Sequence, residues 1–480
     1  MEKYIIEKEQ QIPVYAETDV LVVGGGPAGV CAAVSAARQG ARVLLMERYG
    51  YLGGMSTGGF VLLVDCICDG KGNLVIKGLV EEMLDRLRGV NGLIEPDEAT
   101  RGSSKLEDIL KWRRYGATGG EDKIVRWSPV IDPELMKCVC NDMALESGVQ
   151  LLFHAWFSRA YMVDNKVRGA IFESKSGRQA VLADIVIDCT GDGDVFYTAG
   201  EEYTTGNLPL GLVFRVANVD CEKAEQFLSI PGKDEQVSAD IKAVRGINGG
   251  YSFGELPQGF YMRSNIDNVV WFNNTLAGSA VSVDDLTKVE IEIRQAMLRT
   301  LEYFRKNVPG FENAVVIDTA PQVGVRSSRM LCGEYTITRK ELMEGASYSD
   351  AVVFAQPPYR GFQPEDVLKQ IPYRCFVPKH TEGLLVAGRC ISGDFGAIEL
   401  LRVVPTAMLM GQACGTAAAI AVQDKVAARD VDVKKLQSSL RKQKRVDACY
   451  RVRKGEKKCQ KSNILRITRS ARSRSRPAAR

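Results

Sequence analysis

Histidine is almost missing from this sequence: His154 and His380 are the only two in 480 residues. His154 follows an apolar strand and reads as structural. His380 sits in a turn between Lys379 and Thr381 and reads as solvent-exposed. Neither offers a good catalytic base, so chemistry run by histidine is not expected. Also missing is any C-x-x-C. The thirteen cysteines include only the pairs Cys66-x-Cys68 and Cys138-x-Cys140. That spacing excludes the usual iron–sulfur and dithiol-redox signatures. Thiols scattered through apolar runs, such as Cys31, Cys189 and Cys414, read instead as reduced core residues of a cytoplasmic protein. The first ten residues, MEKYIIEKEQ, hold no apolar leader, so secretion by that route is not expected.

Charge is low overall, but unevenly placed. The net charge is +4, yet residues 441–480 carry sixteen Lys or Arg against two acids, a local balance of +14. The remaining 440 residues therefore carry about −10. This predicts an acidic body with a basic tail at 442–480. The tail ends in the low-complexity run ARSRSRPAAR and reads as disordered. It has no interleaved aromatics beyond Tyr450, so a nucleic-acid partner is not expected. One twenty-residue run, 403–422, has no charge and contains Gly411-x-x-x-Gly415. Its length fits a membrane span. Its Pro405, Thr406, Gln412 and Thr416, and its bulk of Ala and Gly, fit better a helix buried on all sides of a large domain. No membrane partner is expected.

What is present begins at Asp19. The stretch DVLVVGGGPAGVCAAVSAARQGARVLLMERYGYLGGMS runs to Ser56. The apolar run Val20–Val23 reads as a buried parallel strand. Gly24-Gly25-Gly26-Pro27-Ala28-Gly29 matches G-x-G-x-x-G, and an alanine-rich helix, Ala28 to Gln39, follows. A second apolar run, Val43–Met46, ends at Glu47. This is the strand, glycine turn, helix, strand, acid order of a dinucleotide-binding unit. Gly24 allows the tight turn, Gly26 lets backbone approach a pyrophosphate, and Gly29 lets helix and strand pack closely. The helix N-terminus offers free N–H groups to phosphate. Glu47 can accept from ribose hydroxyls.

Further along, the glycine-rich loop Tyr49–Gly59 reads as a cover for the phosphates, with Ser56 or Thr57 as donors. Val61 to Trp127 reads as an insertion over the cofactor, with an amphipathic helix at Gly78–Leu87. Asp132-Pro133-Glu134 predicts a helix start, running to about Ser147. A strand at Val149–Phe153, a hairpin over Arg159–Glu173 and Ala180–Ala183, and a separate strand at Ile185–Cys189 follow. Thr190-Gly191-Asp192-Gly193-Asp194 is a second glycine–acid turn opening a helix at Val195–Ala199. Residues 201–375 mix strands (Leu210–Val216, Val269–Phe272) with a long helix, Val283–Asn307. Gly383–Gly388 is a last buried strand, Arg389 to Arg402 a loop, and Val431–Arg441 a closing helix. No second G-x-G-x-x-G follows a strand, so no separate NAD(P)H domain is evident.

Three segments then act together: the strand ending in CTGDGD at 189–194, the late VAGRCIS strand at 386–392, and the helix opening with Arg402-Val403-Val404-Pro405. With Ala320–Arg329 (APQVGVRSSR) and Gly333-Glu334-Tyr335, they make residues 18–441 resemble the FAD-dependent oxidoreductase family of glutathione-reductase-type flavoproteins. Within that group the chain resembles the fumarate reductase and succinate dehydrogenase branch. The resemblance implies an α/β fold. A Rossmann-like FAD-binding domain with a parallel sheet would occupy 15–60, 128–200 and 376–441. The cofactor-covering insertion would be 61–127, and an α+β substrate or cap domain 201–375. It also implies a cofactor set. Gly24, Gly26, Pro27, Ala28, Gly29, Glu47 and Arg48 would hold the ADP half of FAD. Gly53, Gly54, Met55 and Ser56 would sit over the pyrophosphate and ribityl chain. Thr190, Gly191 and Asp192 would line the second turn, with Gly388 and Arg389 beside the pyrophosphate. The helix near Pro405 would point its N-terminus at the flavin, where reduced flavin is negative. No histidine precedes Gly53-Gly54, so the implied FAD is non-covalent.

For substrate, three arginines stand out. Arg326 and Arg329 are three apart, and Arg402 precedes the flavin-facing helix. Each is a candidate ligand for an anionic substrate. Each has an alternative as an ion-pair partner: Arg402 with an acid such as Glu399, Arg326 and Arg329 between domains. Tyr335, Glu334 and Asp394 are the remaining acid/base candidates. Relatives often carry a histidine where this chain has Asp394-Phe395-Gly396. The expectation is an oxidoreductase that moves hydride between FAD and a small, anionic or neutral organic molecule, with an unidentified electron carrier as a further partner. Its rivals are an NAD-linked dehydrogenase and a flavin-binding sensor without turnover.

Overall fold

The structure is a computed structural model that describes residues 4–69, 72–118, 124–245, 261–356 and 368–443. The basic tail foreseen at 442–480 lies outside them from residue 444 onward, as do residues 70–71 and 119–123 of the insertion expected at 61–127.

The apolar run before the glycines is the end of a longer strand, Val14–Val23. This strand sits inside a seven-stranded sheet. On one side it pairs in parallel with Val43–Met46, which pairs in parallel with Gln150–Leu152. On the other it pairs in parallel with Gly177–Asp188. The sequence suggested a hairpin arm at Ala180–Ala183 and a separate strand at Ile185–Cys189. They are one strand, because its two halves serve different partners on the same edge. Residues 177–182 pair antiparallel with Lys166–Ser174, and residues 186–188 pair in parallel with Leu384–Val386. Lys166–Ser174 pairs onward with Trp156–Val163. Strands buried on both faces read as unbroken apolar runs, which is why Val20–Val23 and Val43–Met46 were legible.

Two helices lie against each other beneath this sheet. The first, Pro27–Arg38, is buried over Ala28–Ala36. The second is the charge-free run, a helix over Val404–Asp424 that is buried from Val404 to Ala421 save Ala407. Their backbones touch. A Cβ at Gly411 would lie 2.7 Å from the Ala28 carbonyl carbon, and one at Gly415 would lie 2.8 Å from that of Ala32. The small-xxx-small spacing thus serves helix packing inside this domain. Asp132 caps the helix Pro133–Glu146, accepting from the Glu134 and Leu135 amides at 2.8 and 3.0 Å.

A second, antiparallel sheet runs Met262–Arg263, Val270–Leu276, Leu210–Ala217, Val315–Thr319. The predicted helix Val283–Asn307 forms over that span, capped by Ser282. From this helix and the turn after it, Phe304 and Phe311 pack with Phe214, Val216, Val270 and Phe272 of the sheet. The sheet's other face is free to form a wall of the cavity described below.

The stretch Arg389–Arg402, expected as a loop, contains a helix at Phe395–Leu401. Asp394 is its N-cap, accepting from the Ala397 amide at 2.7 Å. None of the described cysteines is disulfide-bonded.

Candidate functional site

One cavity of about 390 Å³ lies between the two sheets and runs along the glycine turn. Gly24 takes a left-handed φ of 98°, and a Cβ there would lie 2.5 Å from the Cys189 carbonyl oxygen. Only glycine relieves both constraints. Gly29 lies behind the lining, where a side chain would strike the Gly24 carbonyl. The Gly53–Gly54 loop folds onto the same turn. The Gly53 amide donates to Gly25 O at 2.8 Å, and a Cβ at Gly54 would sit 2.7 Å from Gly26 Cα. Gly26, Pro27, Ala28, Gly54 and Met55 face the cavity, while Gly53 and Ser56 stand behind it. Ser56 Oγ is sealed from solvent with no hydrogen-bond partner.

Two helix N-termini open into this space. Gly26 and Pro27 begin the first helix, and Val403, Val404 and Ala407 belong to the start of the long one. Neither start has a side-chain cap. Unfilled N–H groups and the helix dipole favour an anion at such ends.

Glu47 is 7% exposed and lines the cavity. Its carboxylate accepts from the Gly25 amide at 2.6 Å and the Tyr49 amide at 2.9 Å. Burial pushes its pKa above the ordinary glutamate value, against the pull of the Tyr49 and Gly25 amides. Beside it the Arg48 guanidinium lies over the rings of Tyr49 and Trp156, 5.0 and 5.3 Å from their centres.

The second glycine turn is held by an acid that the sequence reading passed over. Asp188 is fully buried and accepts from four donors: the Thr190 amide and hydroxyl, and the Val195 and Phe196 amides. It thereby caps the short helix Asp194–Thr198. Its signal was the one polar residue ending an apolar strand, Ile185-Val186-Ile187-Asp188. Burial pushes its carboxyl up to about 6. A native pKa above the unfolded one adds stability that is complete below about pH 4 and is lost as pH rises through about 6. The expected result is that wild type exceeds Asp188→Asn in stability by more at pH 4.5 than at pH 7, by about 3 kcal/mol at most. Urea unfolding at the two pH values checks this; an equal difference at both removes the assignment.

Thr190, Gly191, Gly388 and Arg389 line the cavity, and Asp192 stands just behind them. Arg389 Nη2 meets Asp192 Oδ1 at 2.6 Å, and its guanidinium lies flat over Gly191. Burial works to raise the Asp192 pKa, but Arg389 and Arg48 hold it below the usual aspartate value. Arg329 is not in the lining. It donates to Asp194 Oδ1 at 3.0 Å and Asp192 O at 3.1 Å, and covers the Tyr197 ring at 4.0 Å. That makes it an ion-pair partner of Asp194, the ion-pairing part of its alternative role.

The far wall comes from the antiparallel sheet and the strand-like segment after it. Trp271, Asn273, Gln322 and Arg326 face inward there, and Arg402 closes the end beside the long helix. Arg326 donates to Pro209 O at 2.9 Å. Glu399, the acid suggested as a partner for Arg402, pairs with Arg339 at 3.7 Å. The structure therefore brings Arg326 and Arg402 to one cavity with the glycine turns. It places two other candidates elsewhere. Tyr335 donates to Glu341, which forms a capping box with Thr338. Asp394 caps one helix and accepts from the Arg339 amide at the start of another. Neither histidine lines the cavity.

Residues 19–440 match the family described as FAD dependent oxidoreductase. The chain belongs to that family. Thiamine thiazole synthase from Methanococcus vannielii is 27% identical over 202 residues, which cover 40% of this chain and 71% of that protein. A 41-residue segment is 58% identical to sarcosine oxidase subunit alpha from a Corynebacterium species, covering 8% of this chain and 4% of that one. Among solved structures, glycine oxidase from Geobacillus kaustophilus aligns over 88% of this chain and 98% of its own, at 13% identity and a TM-score of 0.40. A geranylgeranyl bacteriochlorophyll reductase-like protein from Thermoplasma acidophilum aligns over 89% and 83%, at 14% identity and a TM-score of 0.43. The narrower likeness to the fumarate reductase branch is not shown by these matches.

FAD is the cofactor this family implies. The chain's residues fit such a group. A glycine-walled cradle at Gly24, Gly26 and Gly54 and two uncapped helix N-termini form a donor set suited to a diphosphate-bridged anion. In this FAD-dependent oxidoreductase the sequence reading missed Asn273 and Gln322 as well as Asp188. Asn273 had a faint signal: a polar residue directly after the apolar run Val269-Val270-Trp271-Phe272.

Proposed function

We propose that this cavity binds FAD non-covalently and presents it to a small organic anion, with hydride passing between the two. Bound there, FAD supplies hydride transfer at its ring N5. The chain's own residues divide the rest. Glu47 would hold the ribose hydroxyls. The turns at Gly24–Gly29 and Gly53–Ser56, with Thr190, Gly191, Gly388 and Arg389, would surround the pyrophosphate and ribityl chain. The N-terminus of the long helix would favour negative charge on the reduced ring. Arg326 and Arg402 would hold the substrate's carboxylate against it. A non-covalent site agrees with a described lining that has no histidine and whose cysteine, Cys189, has its thiol pushed well up by burial. The free thiols agree with a reducing, cytoplasmic setting.

The observation that carries this reading is that Arg326 and Arg402 meet in one cavity with both helix N-termini. Purified protein should be yellow, and guanidinium should release all its FAD; flavin that stays with the chain would refute the non-covalent reading. Anaerobic flavin reduction by a panel of carboxylates should fall about 100-fold in kcat/KM in Arg402→Ala or Arg326→Ala, the loss of one charge-assisted hydrogen-bonded contact. FAD content should hold. Undiminished reduction in both variants would remove the anion site.

A further inference from the structure

The cavity's far wall is a strand face with one odd member. In the register Gly211 opposite Thr275, Val213 opposite Asn273 and Arg215 opposite Trp271, alternation turns Gly211, Val213, Trp271 and Asn273 to the cavity. Gly211 has no left-handed φ to require glycine. Its backbone is held by reciprocal bonds with Gly324, at 3.0 and 2.6 Å. What its missing side chain provides is room. Where a Gly211 Cβ would begin, Asn273 Oδ1 lies 2.8 Å away and Arg326 Nη2 lies 3.7 Å away. Asn273 Oδ1 is sealed from solvent and accepts no hydrogen bond. Leaving a buried acceptor unmet costs about 1–3 kcal/mol, and this one belongs to a residue that lines the cavity beside a guanidinium.

We infer that Gly211, Asn273 and Arg326 form a subsite for a carboxylate whose neighbouring carbon bears an N–H or O–H donor: a 2-amino or 2-hydroxy acid. This rests on the anion reading of the same cavity and narrows it. Arg326 takes the carboxylate, Asn273 Oδ1 takes the donor, and Gly211 leaves the space in which the two meet. Both protein atoms converge on one point, so the ligand's carboxylate and donor must be close neighbours. A plain carboxylate leaves Asn273 unmet, and a neutral amide forfeits the guanidinium. A site built around a hydrogen bond rejects the analogue that lacks it more sharply than an apolar pocket rejects a missing methylene.

Calorimetric titration of the full-length, FAD-retaining protein with lactate, alanine, propionate and lactamide tests this. Lactate or alanine should bind at least tenfold tighter than propionate and lactamide. Asn273→Ala should bring the favoured probe level with propionate. Gly211→Ala, whose new methyl occupies the subsite, should weaken the favoured probe at least tenfold with FAD content unchanged. Propionate binding as tightly as lactate and alanine, or Asn273→Ala keeping the preference, overturns the subsite while the anion reading stands. Failure of all three carboxylates to bind FAD-loaded protein overturns both.

Discussion

Gly411→Val should be among the most damaging single changes in this chain, lowering stability by about 4 kcal/mol or more. The new Cβ would lie 2.7 Å from the Ala28 carbonyl carbon and closer still to its oxygen. Non-bonded carbon and oxygen atoms normally stay about 3.3 Å apart, and the opposing atoms are backbone, so no rotamer can yield. The two helices would have to separate. That loosens packing along Ala32 and Gly415 and moves Pro27 and Ala28, which face the cavity. The melting temperature should drop by about 4 °C or more, and FAD should be lost with it. Gly89→Ala is the control. Its Cβ would meet nothing within 4 Å, and it ends a helix. It should be neutral or slightly stabilising. A Gly411→Val protein melting within about 2 °C of wild type would mean that the helices do not touch there.

Glu47→Ala should weaken FAD retention by about 100-fold, the loss of hydrogen bonds to a charged acceptor at about 1.5–3 kcal/mol each. The fold should survive. Part of the loss is indirect, since the Gly25 and Tyr49 amides lose their acceptor. The ionised carboxylate is the form that accepts from two ribose hydroxyls. Burial, opposed by the Tyr49 and Gly25 amides, sets its pKa above the ordinary glutamate value. Wild-type FAD affinity should therefore begin to fall, as pH is lowered, at a higher pH than a solvent-exposed glutamate would cause. Glu47→Gln should flatten that dependence. Fluorescence of released FAD across an acid titration measures both effects. A Glu47→Ala protein with full FAD occupancy in dilute solution would end the ribose role.

Local rules carried the reading where function sits on consecutive residues. The turn Gly24–Gly29 and the acid Glu47 were legible because strand, turn, helix and strand follow one another in sequence. The same holds for the Asp132 cap and the helix Val283–Asn307, whose signals are near neighbours in the chain. The long strand Gly177–Asp188 was cut in two because its change of partner is not written in its own residues. Lys166–Ser174 and Leu384–Val386 share one of its edges, and the second lies about 200 residues away. Asp394 was proposed for proton transfer as a polar residue in an expected loop. The helix that follows it was missed, so its capping role was missed too.

The arginines show the limit most plainly. Arg326 and Arg329 look alike in sequence. In the fold Arg326 faces the cavity, while Arg329 is taken up by Asp194 and the Tyr197 ring. Nothing within a few residues of either separates them, because their partners arrive from strands and turns over 100 residues away.

By itself, the sequence determined the glycine-turn side of this cavity: a glycine turn at a helix start, followed by an acid, needs only neighbouring residues to form. It also determined that the charge-free helix could pack tightly, through Gly411 and Gly415. The tertiary structure alone decided what that helix packs against, which arginine reaches the cavity, and that Gly211 and Asn273 stand beside it. The physical reason is reach. Hydrogen bonds within a turn or cap are set over a few residues, whereas the cavity's far wall is assembled by strand register and sheet packing between segments far apart in the chain.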